Sequence, residues 1–312
     1  MTVPADATLA DVGEFGLIGL FDFPQSEAVY LGPGDDAAVL RTRSHVVVSV
    51  DVAVENRHFK REWAPAHDIG RKVAAAALAD LAAMGAQATG LVVGLAAPPS
   101  TNARWLLDLA RGIGDEALVA GASVIGGDLT AGAEVVISVT VLGGCEVAPV
   151  TRSGARVGDE VALCGRQGWA AAGLAVLGRG FRSPRAVVAA YQRPEPPYAA
   201  GVAAATAGAT AMIDVSDGLV ADLGHLAAAS GVAIDLDQAA LEPDEPLVAV
   251  GAALGVDPMQ FVLSGGDDHP LAATFAAGSV PSGWRVIGRC LEGEGVTVGG
   301  STYDGVGGHR HF

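Results

Sequence analysis

Several features that define large functional classes are missing from this sequence. Of its 312 residues only three are cysteines, and no two of them form a Cys-x-x-Cys pair. Cys145, Cys164 and Cys290 therefore predict free thiols in a reducing compartment, not disulfides or a zinc site. No apolar run is long and uncharged enough to cross a bilayer, and the first 13 residues lack the pattern of a signal peptide. We expect a cytoplasmic protein with no membrane partner.

Lysine is also scarce, and this excludes the common lysine-dependent phosphate sites. The only lysines are Lys60 and Lys72, and neither stands in a Gly-x-x-x-x-Gly-Lys-Ser/Thr segment. The protein-kinase motifs are missing, and a net charge of −16 offers no basic footprint for nucleic acid. Ser216 lacks the Gly-x-Ser-x-Gly elbow of a hydrolase, so no covalent nucleophile is expected. Any phosphate must be neutralised mainly by metal ions and arginine.

Glycine and aspartate are combined at the segment Tyr30–Leu40, where an apolar approach breaks at Gly32-Pro33-Gly34. The spacing from Gly32 to Ala37 formally matches a relaxed dinucleotide-binding fingerprint. Its variable positions hold Asp35 and Asp36, however, which would repel a pyrophosphate. A metal-binding turn is favoured over a Rossmann motif.

The pattern of apolar segment, glycine and acid recurs along the chain. It is found at Ile125-Gly126-Gly127-Asp128 and at Leu263-Ser264-Gly265-Gly266-Asp267-Asp268, where we expect strands to end. Asp51 likewise follows the β-branched run 46–50. Oxygen ligands without a His or Cys cluster suit Mg²⁺, and several such ions would assist phosphoryl transfer. Each acid taken alone is equally consistent with an ordinary turn or cap. The candidate metal ligands are Asp36, Asp51, Asp80, Asp128, Asp214 and Asp217.

The segment from Asp68 to Gly85 predicts the clearest helix, with Asp68 as its N-cap and Gly85 beyond its C-terminus. Asp80 falls among apolar residues at helical spacing. An unpaired carboxylate buried there would cost several kcal/mol. Asp80 must therefore be paired, protonated or bound to a cation.

The order of predicted elements describes two α/β domains, residues 1–148 and 149–312, joined by the polar, glycine-rich segment 151–159. Half of the residues are apolar, enough to bury a core in each. Ser216 or Asp217 is expected to cap the helix that follows them. The other predicted helices are 11–23, 101–120, 169–177, 186–192 and 199–207, and the predicted strands include 90–96, 123–125, 135–142, 160–164, 233–236 and 271–275.

Taken in order, the motifs resemble the thiamine-monophosphate kinase family of the aminoimidazole ribonucleotide synthetase superfamily. The most specific is Asp80-Leu81-Ala82-Ala83-Met84-Gly85-Ala86, and Asp214-Val215-Ser216-Asp217-Gly218-Leu219 is among the others. The resemblance implies a two-domain α/β fold whose N-terminal domain forms a β-barrel with its copy in a homodimer. It also implies ATP-dependent phosphorylation of thiamine monophosphate to thiamine diphosphate by direct transfer.

The resemblance assigns roles by matched position. The Mg²⁺ ligands would be Asp36, Ser49, Val50 through its carbonyl, Asp51, Asp80, Asp128, Asp214 and Asp217. The nucleotide would contact Gly127, Asp128, Arg152 and Ser216, and the thiamine substrate would contact His58, Asp267 and Tyr303. On residue type alone, Arg152 is equally consistent with a surface ion pair, and His58 with a solvated loop histidine.

The chain departs from the family pattern at a few positions. Val50 replaces a threonine, Ala77 and Ala79 replace Asn and Ser, and Asp267 replaces a glutamate. Two alternatives stay open. One is another ATP-using member of the superfamily, although a selenophosphate synthetase would need a cysteine before Cys145. The other is a non-catalytic sensor of Mg-nucleotide, which retention of all six acids disfavours.

Overall fold

The structure, a computed structural model, describes residues 4, 6–12, 16–17, 19–31, 39–41 and 46–303. The described residues form two compact units. One comprises those up to Leu81 together with Gln87–Cys145, and the other comprises Ala82–Ala86 and those from Glu146 onward. In the described part of the chain no single helix is long and apolar enough to span a membrane. One bent helix pair passes that test on length and composition alone.

The first unit contains a small two-stranded sheet and an open four-stranded sheet. The large sheet has the order β3-β6-β4-β5, in which only β4 and β5 are parallel. Its described strands close no barrel. The helices are α1 (Leu9–Val12), α2 (Ala66–Ala83) and α3 (Ala103–Val119), and the strands are β1 (Val29–Leu31), β2 (Val39–Leu40), β3 (Val46–Val54), β4 (Gln87–Ala97), β5 (Ser123–Ala131) and β6 (Val136–Gly144).

Glycines let the backbones of α2 and α3 pack in direct contact. A Cβ atom at Gly70 would lie 2.1 Å from the carbonyl oxygen of Leu109, and one at Gly112 would lie 1.9 Å from that of His67. Alanines supply most of the buried surface of α2, which has little room for larger side chains. This close packing fixes the helix that carries Asp80.

Alternation along β3 exposes one face of valines and turns the other face inward. Val46, Val48, Val50 and Val52 are 49–57% exposed, whereas Ser49 and Asp51 are half-buried. The strand also forms an edge of its sheet. Its outer face is therefore apolar and, among the residues that the structure describes, exposed.

The second unit is built on a seven-stranded sheet of order β13-β12-β9-β11-β7-β10-β8, in which only β9 and β12 pair in parallel. Its core includes Met212, Leu271 and Phe275. The strands are β7 (Glu160–Cys164), β8 (Ala211–Asp214), β9 (Ala233–Leu236), β10 (Leu271–Phe275), β11 (Arg285–Leu291), β12 (Gly295–Val298) and β13 (Ser301–Thr302). The helices are α4 (Trp169–Gly178), α5 (Arg185–Gln192), α6 (Tyr198–Thr206), α7 (Leu219–Ser230), α8 (Glu245–Leu254), α9 (Pro258–Ser264) and the 3₁₀ turn Gln238–Leu241.

Many predicted elements are confirmed, and the strands at Glu160–Cys164, Ala233–Leu236 and Leu271–Phe275 match at both ends. Gly85 follows α2 with φ +68°, as expected of a C-terminal glycine. Asp68 is not the N-cap, because it lies inside the first turn. The prediction of a helix over residues 11–23 is confirmed in part, since residues 11–12 and 16–17 are helical whereas residues 21–23 have no regular structure.

The predicted strand-end positions of the acids are also wrong at three places. β3 runs on to Val54 and β5 to Ala131, so Asp51 and Asp128 lie within strands. Leu263 belongs to a helix, not to a strand. Both strands continue because a neighbouring strand offers backbone hydrogen bonds beyond these residues. β6 pairs with β3 as far as Val54, and β4 pairs with β5 as far as Ala131.

Candidate functional site

Ser49 and Asp80 meet in the first unit. The Ser49 hydroxyl donates a hydrogen bond of 2.5 Å to Oδ2 of Asp80, which joins the inward face of β3 to α2. The family's Asn and Ser are replaced by Ala77 and Ala79 in this helix, so the helix itself offers Asp80 no hydrogen-bond donor at these two positions. The donor comes instead from a strand residue 31 positions earlier in the sequence.

Asp80 occupies the more open side of a largely buried helix. From Lys72 to Ala83, only Ala76 and Asp80 are half-buried, and they are four residues apart on one side. The remaining residues of this stretch are buried, so Asp80 lies beside the buried surface of the helix and not within it. The carboxylate is partly accessible, and this lowers the cost of keeping it charged.

Asp51 and Gly127 lie in one row across the four-stranded sheet. Asp51 pairs with Val139, Val139 with Val93, and Val93 with Gly127. Three strand spacings of about 4.8 Å separate the two backbones by roughly 14 Å. Successive side chains point to opposite faces of a strand, so Asp128, one residue on, leaves the sheet on the face opposite to Asp51. The row therefore does not direct the two acids at one common ion.

Gly127 has a structural role of its own. A Cβ atom there would lie 2.3 Å from the carbonyl oxygen of Val93, whereas one at Gly126 would meet nothing within 4 Å. The close approach of β4 therefore requires glycine at 127 whether or not a nucleotide binds.

His58 lies in the short loop after β3. Its Nδ1 accepts a hydrogen bond of 3.0 Å from the amide of Val54, and Asn56 beside it has φ +63°. Because Nδ1 is an acceptor, the neutral ring carries its proton on Nε2. His58 is therefore an oriented side chain, not a solvated one.

In the second unit, β8 leads directly into an acidic loop, Asp214–Gly218. Asp214 is buried, and its Oδ2 lies 3.1 Å from Nδ1 of the buried His269. Asp217 and Ser216 follow on the half-exposed side of the loop. The loop thus combines one fixed carboxylate with two accessible polar residues.

A second acid, Asp222, supports this loop from inside α7. Its Oδ2 accepts hydrogen bonds of 3.0 Å from the amides of Asp217 and Gly218. Burial raises the pKa of Asp222 to about 6, and the charges of Asp214 and Asp217 act in the same direction. The predicted capping by Ser216 or Asp217 is wrong, because the N-cap residue is Gly218 and the helix has no side-chain capping hydrogen bond there.

The neighbouring loop, Ser264–Asp268, packs on the acidic loop backbone to backbone; it is called the substrate loop below because the sequence predicts that its Asp267 contacts the substrate. The amide of Asp267 donates a 2.9 Å hydrogen bond to the carbonyl of Ser216. A Cβ atom at Gly266 would lie 2.0 Å from that same carbonyl oxygen. The hydroxyls of Ser264 and Tyr303 are 3.0 Å apart, which brings Tyr303 to this loop as well.

The substrate loop is held in an unusual conformation. Asp267 has φ +68° and His269 has φ +52°, values that non-glycine residues adopt at a cost. Between them Asp268 is buried, and both of its carboxylate oxygens accept from the amide of Ala170 at 3.0 Å. Burial raises the pKa of Asp268 to about 7. Asp268 thus caps α4, and Asp267 is left partly exposed at the loop surface.

Arg152 lies on the irregular segment that precedes β7. Its side chain is exposed, and its carbonyl accepts a 2.9 Å hydrogen bond from Ser230, whose Oγ also accepts from the amides of Gly154 and Ala155. The backbone of the glycine-rich segment is therefore anchored while the guanidinium remains accessible to an anion.

The structure thus brings together two sets of predicted residues, each within one unit. Ser49 contacts Asp80, and Ser216 contacts Asp267 with Tyr303 nearby. Asp36 lies outside the described residues, and the Val50 side chain points to the exposed face of β3. Sequence reasoning missed Asp222 and His269. A signal for Asp222 was available in its helical position four residues after Gly218.

The donor set fits Mg²⁺ in its chemistry. All the described candidates offer oxygen atoms, but within the described residues no three His, Cys, Asp or Glu side chains could hold a metal by themselves. Proteins commonly bind Mg²⁺ through one or two carboxylates together with substrate phosphates and water. Pairs such as Ser49 and Asp80 suit that arrangement.

Comparison with known proteins identifies the relatives of this chain. The family model described as AIR synthase related protein, N-terminal domain, matches residues 34–145. Thiamine-monophosphate kinase of Mycobacterium tuberculosis (strain ATCC 25618 / H37Rv) is 46% identical over 311 residues, which cover 98% of this chain and 93% of that protein.

Solved structures give the same result. Thiamine-monophosphate kinase from Stenotrophomonas maltophilia K279a superposes with a TM-score of 0.79 at 33% identity, covering 88% of this chain and 92% of that one. A structure described as AaThiL complexed with AMPPCP and TMP reaches 0.81 at 28% identity, covering 98% and 99%. The architecture is thus the mixed α/β, two-domain fold of the aminoimidazole ribonucleotide synthetase type. The chain belongs to the thiamine-monophosphate kinase family.

Proposed function

We propose that this protein transfers the γ-phosphoryl group of ATP to the phosphate of thiamine monophosphate, giving thiamine diphosphate and ADP. Family membership supports this, and a solved relative is described in complex with AMPPCP and TMP. The observation that carries the proposal is the 2.9 Å hydrogen bond between Asp267 and Ser216. It joins the loop expected to contact the thiamine substrate to the loop expected to contact the nucleotide.

The reaction is a direct in-line displacement without a covalent enzyme intermediate. A phosphate oxygen of thiamine monophosphate forms the new bond to the γ-phosphorus, and the bond from that phosphorus to the bridging oxygen of ADP breaks. Several Mg²⁺ ions would be held by Asp36, Ser49, Val50 through its carbonyl, Asp51, Asp80, Asp128, Asp214 and Asp217, and when bound they would supply neutralising charge at the phosphate oxygens. Lysine cannot take this role, since Lys60 and Lys72 lie in no phosphate-binding motif.

The nucleotide contacts in this proposal are Gly127, Asp128, Arg152 and Ser216. The exposed guanidinium of Arg152 offers a planar fork of donors to a phosphate. Gly127 and Asp128 are exposed on β5, and Ser216 presents a hydroxyl from the acidic loop. These groups orient the polyphosphate, so that positioning and charge neutralisation carry most of the catalysis.

The thiamine end meets His58, Asp267 and Tyr303. Thiamine carries a cationic thiazolium ring, to which the partly exposed Asp267 carboxylate is complementary in charge. Tyr303 adds an aromatic surface at the same loop through its contact with Ser264. The Nε2 proton of His58 offers a directed hydrogen bond to a polar group of the substrate.

We propose further that the protein is a homodimer built on the outer face of β3. Four exposed valines on an edge strand leave an apolar surface that a second copy would cover, closing the two open sheets into a barrel. The three free cysteines support a reducing, cytoplasmic location.

Substrate selectivity tests the proposed function. Purified protein with ATP and Mg²⁺ is incubated separately with thiamine monophosphate, thiamine and aminoimidazole or formylglycinamidine ribonucleotides, and ADP and products are quantified by chromatography. We expect turnover with thiamine monophosphate alone. Turnover with a ribonucleotide would assign the protein to another activity of the superfamily, and nucleotide binding without any product would identify a sensor.

A further inference from the structure

We propose that Asp222 is a positioning residue that shapes the acidic loop for binding of metal and nucleotide. One carboxylate oxygen, Oδ2, accepts the amide hydrogens of both Asp217 and Gly218 at 3.0 Å. Asp222 is 3% exposed, so this oxygen acts inside the protein and does not face a ligand. The inference rests on the proposed function, because it takes Asp214, Ser216 and Asp217 as the ligand-binding residues.

The loop cannot cap its own helix. The N-cap residue of α7 is Gly218, which has φ +143° and no side chain. A Cβ atom there would lie 2.7 Å from the carbonyl oxygen of Ser264, so the substrate loop excludes Ser, Thr, Asp or Asn from this position. The usual capping side chain is therefore ruled out. Asp222, in the first turn of α7, accepts instead from the amides of Asp217 and Gly218, which precede the helix, while its own amide donates to the carbonyl of Gly218 at 2.9 Å.

The two amide contacts fix the direction of the loop at its ligand-facing end. With the amides of Asp217 and Gly218 held, the φ rotation of each residue is restrained, and the Asp217 side chain leaves the loop in a defined direction. Asp214 is fixed separately by His269. Asp222 and His269 thus hold opposite ends of the loop, and Ser216 lies between them.

An asparagine at position 222 would keep one acceptor oxygen and remove the charge. The geometry of the acceptor is therefore separable from its charge by substitution.

The experiment compares Asp222→Ala, which removes the acceptor, with Asp222→Asn, which keeps one oxygen in the same place. Asp237→Ala is the matched control, because Asp237 caps a short helix through a 3.0 Å hydrogen bond to a backbone amide. It follows β9, four strands from β8, or roughly 19 Å away. The measurements are the affinity for Mn²⁺ with AMPPCP by calorimetry, the Tm, and hydrogen exchange at the amides of residues 217 and 218.

We expect Asp222→Ala to weaken Mn²⁺-dependent AMPPCP binding at least tenfold and Asp222→Asn less than threefold. Asp237→Ala should lower the Tm without changing the affinity. Wild-type affinity in a folded Asp222→Ala protein, or equal losses in the Ala and Asn variants, would overturn the proposal. If Asp222→Ala does not fold, the Asn variant decides. In the Asp222→Asn variant, protection of the amides of residues 217 and 218 from hydrogen exchange together with retained affinity for AMPPCP supports the proposal. Loss of that protection with unchanged affinity refutes it.

This design separates the inference from the proposed function. Mn²⁺ and AMPPCP binding requires no phosphoryl transfer, so a wild-type protein that forms no thiamine diphosphate would still report on Asp222. Conversely, if the protein forms thiamine diphosphate but the Asp222 substitutions do not change its affinity for AMPPCP, the kinase activity is supported and the positioning role of Asp222 is refuted.

Discussion

Asp80 combines partial accessibility with a hydrogen bond from Ser49, the arrangement expected of a carboxylate that keeps its charge for a ligand. Asp80→Asn preserves shape and an acceptor for Ser49 but removes the charge. We expect kcat to fall by roughly two to three orders of magnitude, the scale of losing one electrostatic contact to the reacting groups. The Tm should change by no more than a few degrees. Steady-state kinetics and thermal unfolding test this.

Asp108→Asn is the control for that substitution. Asp108 lies on the surface of α3 and pairs with Arg111 three residues on, so its variant should keep turnover within twofold. Wild-type turnover by Asp80→Asn would show that Asp80 serves the structure alone.

Asp267 is held at φ +68°, where glycine is more stable than aspartate. Asp267→Gly should therefore raise the free energy of unfolding by roughly 0.5–1 kcal/mol. It should also raise the KM for thiamine monophosphate about tenfold or more while leaving the KM for ATP nearly unchanged. Denaturant unfolding and kinetics measure the two effects.

Asp267→Asn separates charge from backbone at the same position. It keeps a residue that tolerates the left-handed conformation, so we expect nearly unchanged stability together with the raised KM for thiamine monophosphate. An unchanged KM in both variants would remove Asp267 from the substrate site.

Residue-level prediction from sequence succeeds where chemistry is local and fails where it is tertiary. A partner for Asp80 was one of three predicted possibilities, because a buried carboxylate must be paired, protonated or bound to a cation, but the donor Ser49 stands 31 positions away. His269 reaches Asp214 across 55 positions. No rule of sequence spacing predicts this contact.

At the scale of the element, Gly126 and Gly127 form a natural matched pair in β5. Gly127→Ala would place a methyl group 2.3 Å from the Val93 carbonyl, whereas Gly126→Ala would enter open space. We expect the first to lower the free energy of unfolding by about 1–3 kcal/mol and the second to change it by less than about 1 kcal/mol. Urea unfolding measures both. Equal stabilities would contradict the close packing of β4 on β5.

The cap of α4 by Asp268 gives stability a specific pH dependence. Burial, the dominant cause, raises the pKa of Asp268 from an ordinary 3.8 to about 7, against the hydrogen bonds from Ala170. Between these values the unfolded chain is ionised while the folded protein retains the proton. The stability linked to this proton is therefore full below about pH 4 and is lost as pH rises to about 7.

Asp268→Asn removes the titrating group but keeps an acceptor for the Ala170 amide. We expect the free energy of unfolding of the wild type to fall more steeply from about pH 4 to pH 7 than that of the variant. Denaturant titrations at intervals across this range measure the difference. Parallel curves would show that Asp268 ionises normally in the folded protein.

Element prediction was accurate where apolar runs were bounded by turn residues, as at β7, β9 and β10. It failed at β5 and β3, because glycine or aspartate was taken as the end of a strand. The paired strands β4 and β6 supply backbone partners on past those residues, and a glycine inside β5 is required by close packing, not by a turn. Such a requirement exists only in the folded sheet.

At the scale of the whole molecule, the outer face of β3 tests the proposed dimer. Val48 is 57% exposed, and a lysine there would bury charge in the proposed interface. Val48→Lys should convert a dimer into a monomer, as measured by light scattering coupled to size-exclusion chromatography. Val119→Lys, at the 62% exposed end of α3, is the control and should leave the mass unchanged. A dimeric Val48→Lys protein would place the interface elsewhere.

The mixed α/β class and the two-domain architecture were predictable, because the order of motifs extends over the whole chain. One detail was not. Ala82–Ala86, predicted as the end of a first-domain helix, belongs to the second compact unit. There Ala82 and Ala83 join the core around Met212 and Phe275. The small side chains that permit this packing have no distinguishing pattern in the sequence.

One measurement tests most directly the proposed transfer of the γ-phosphoryl group from ATP to thiamine monophosphate. The protein is incubated with Mg²⁺, thiamine monophosphate and ATP labelled with ³²P in the γ-phosphate, and the products are separated. We predict that the label appears in the terminal phosphate of thiamine diphosphate in an amount equal to the ADP formed, and that this ADP is unlabelled. Release of the label as inorganic phosphate, or its retention in bound ATP, would contradict the account.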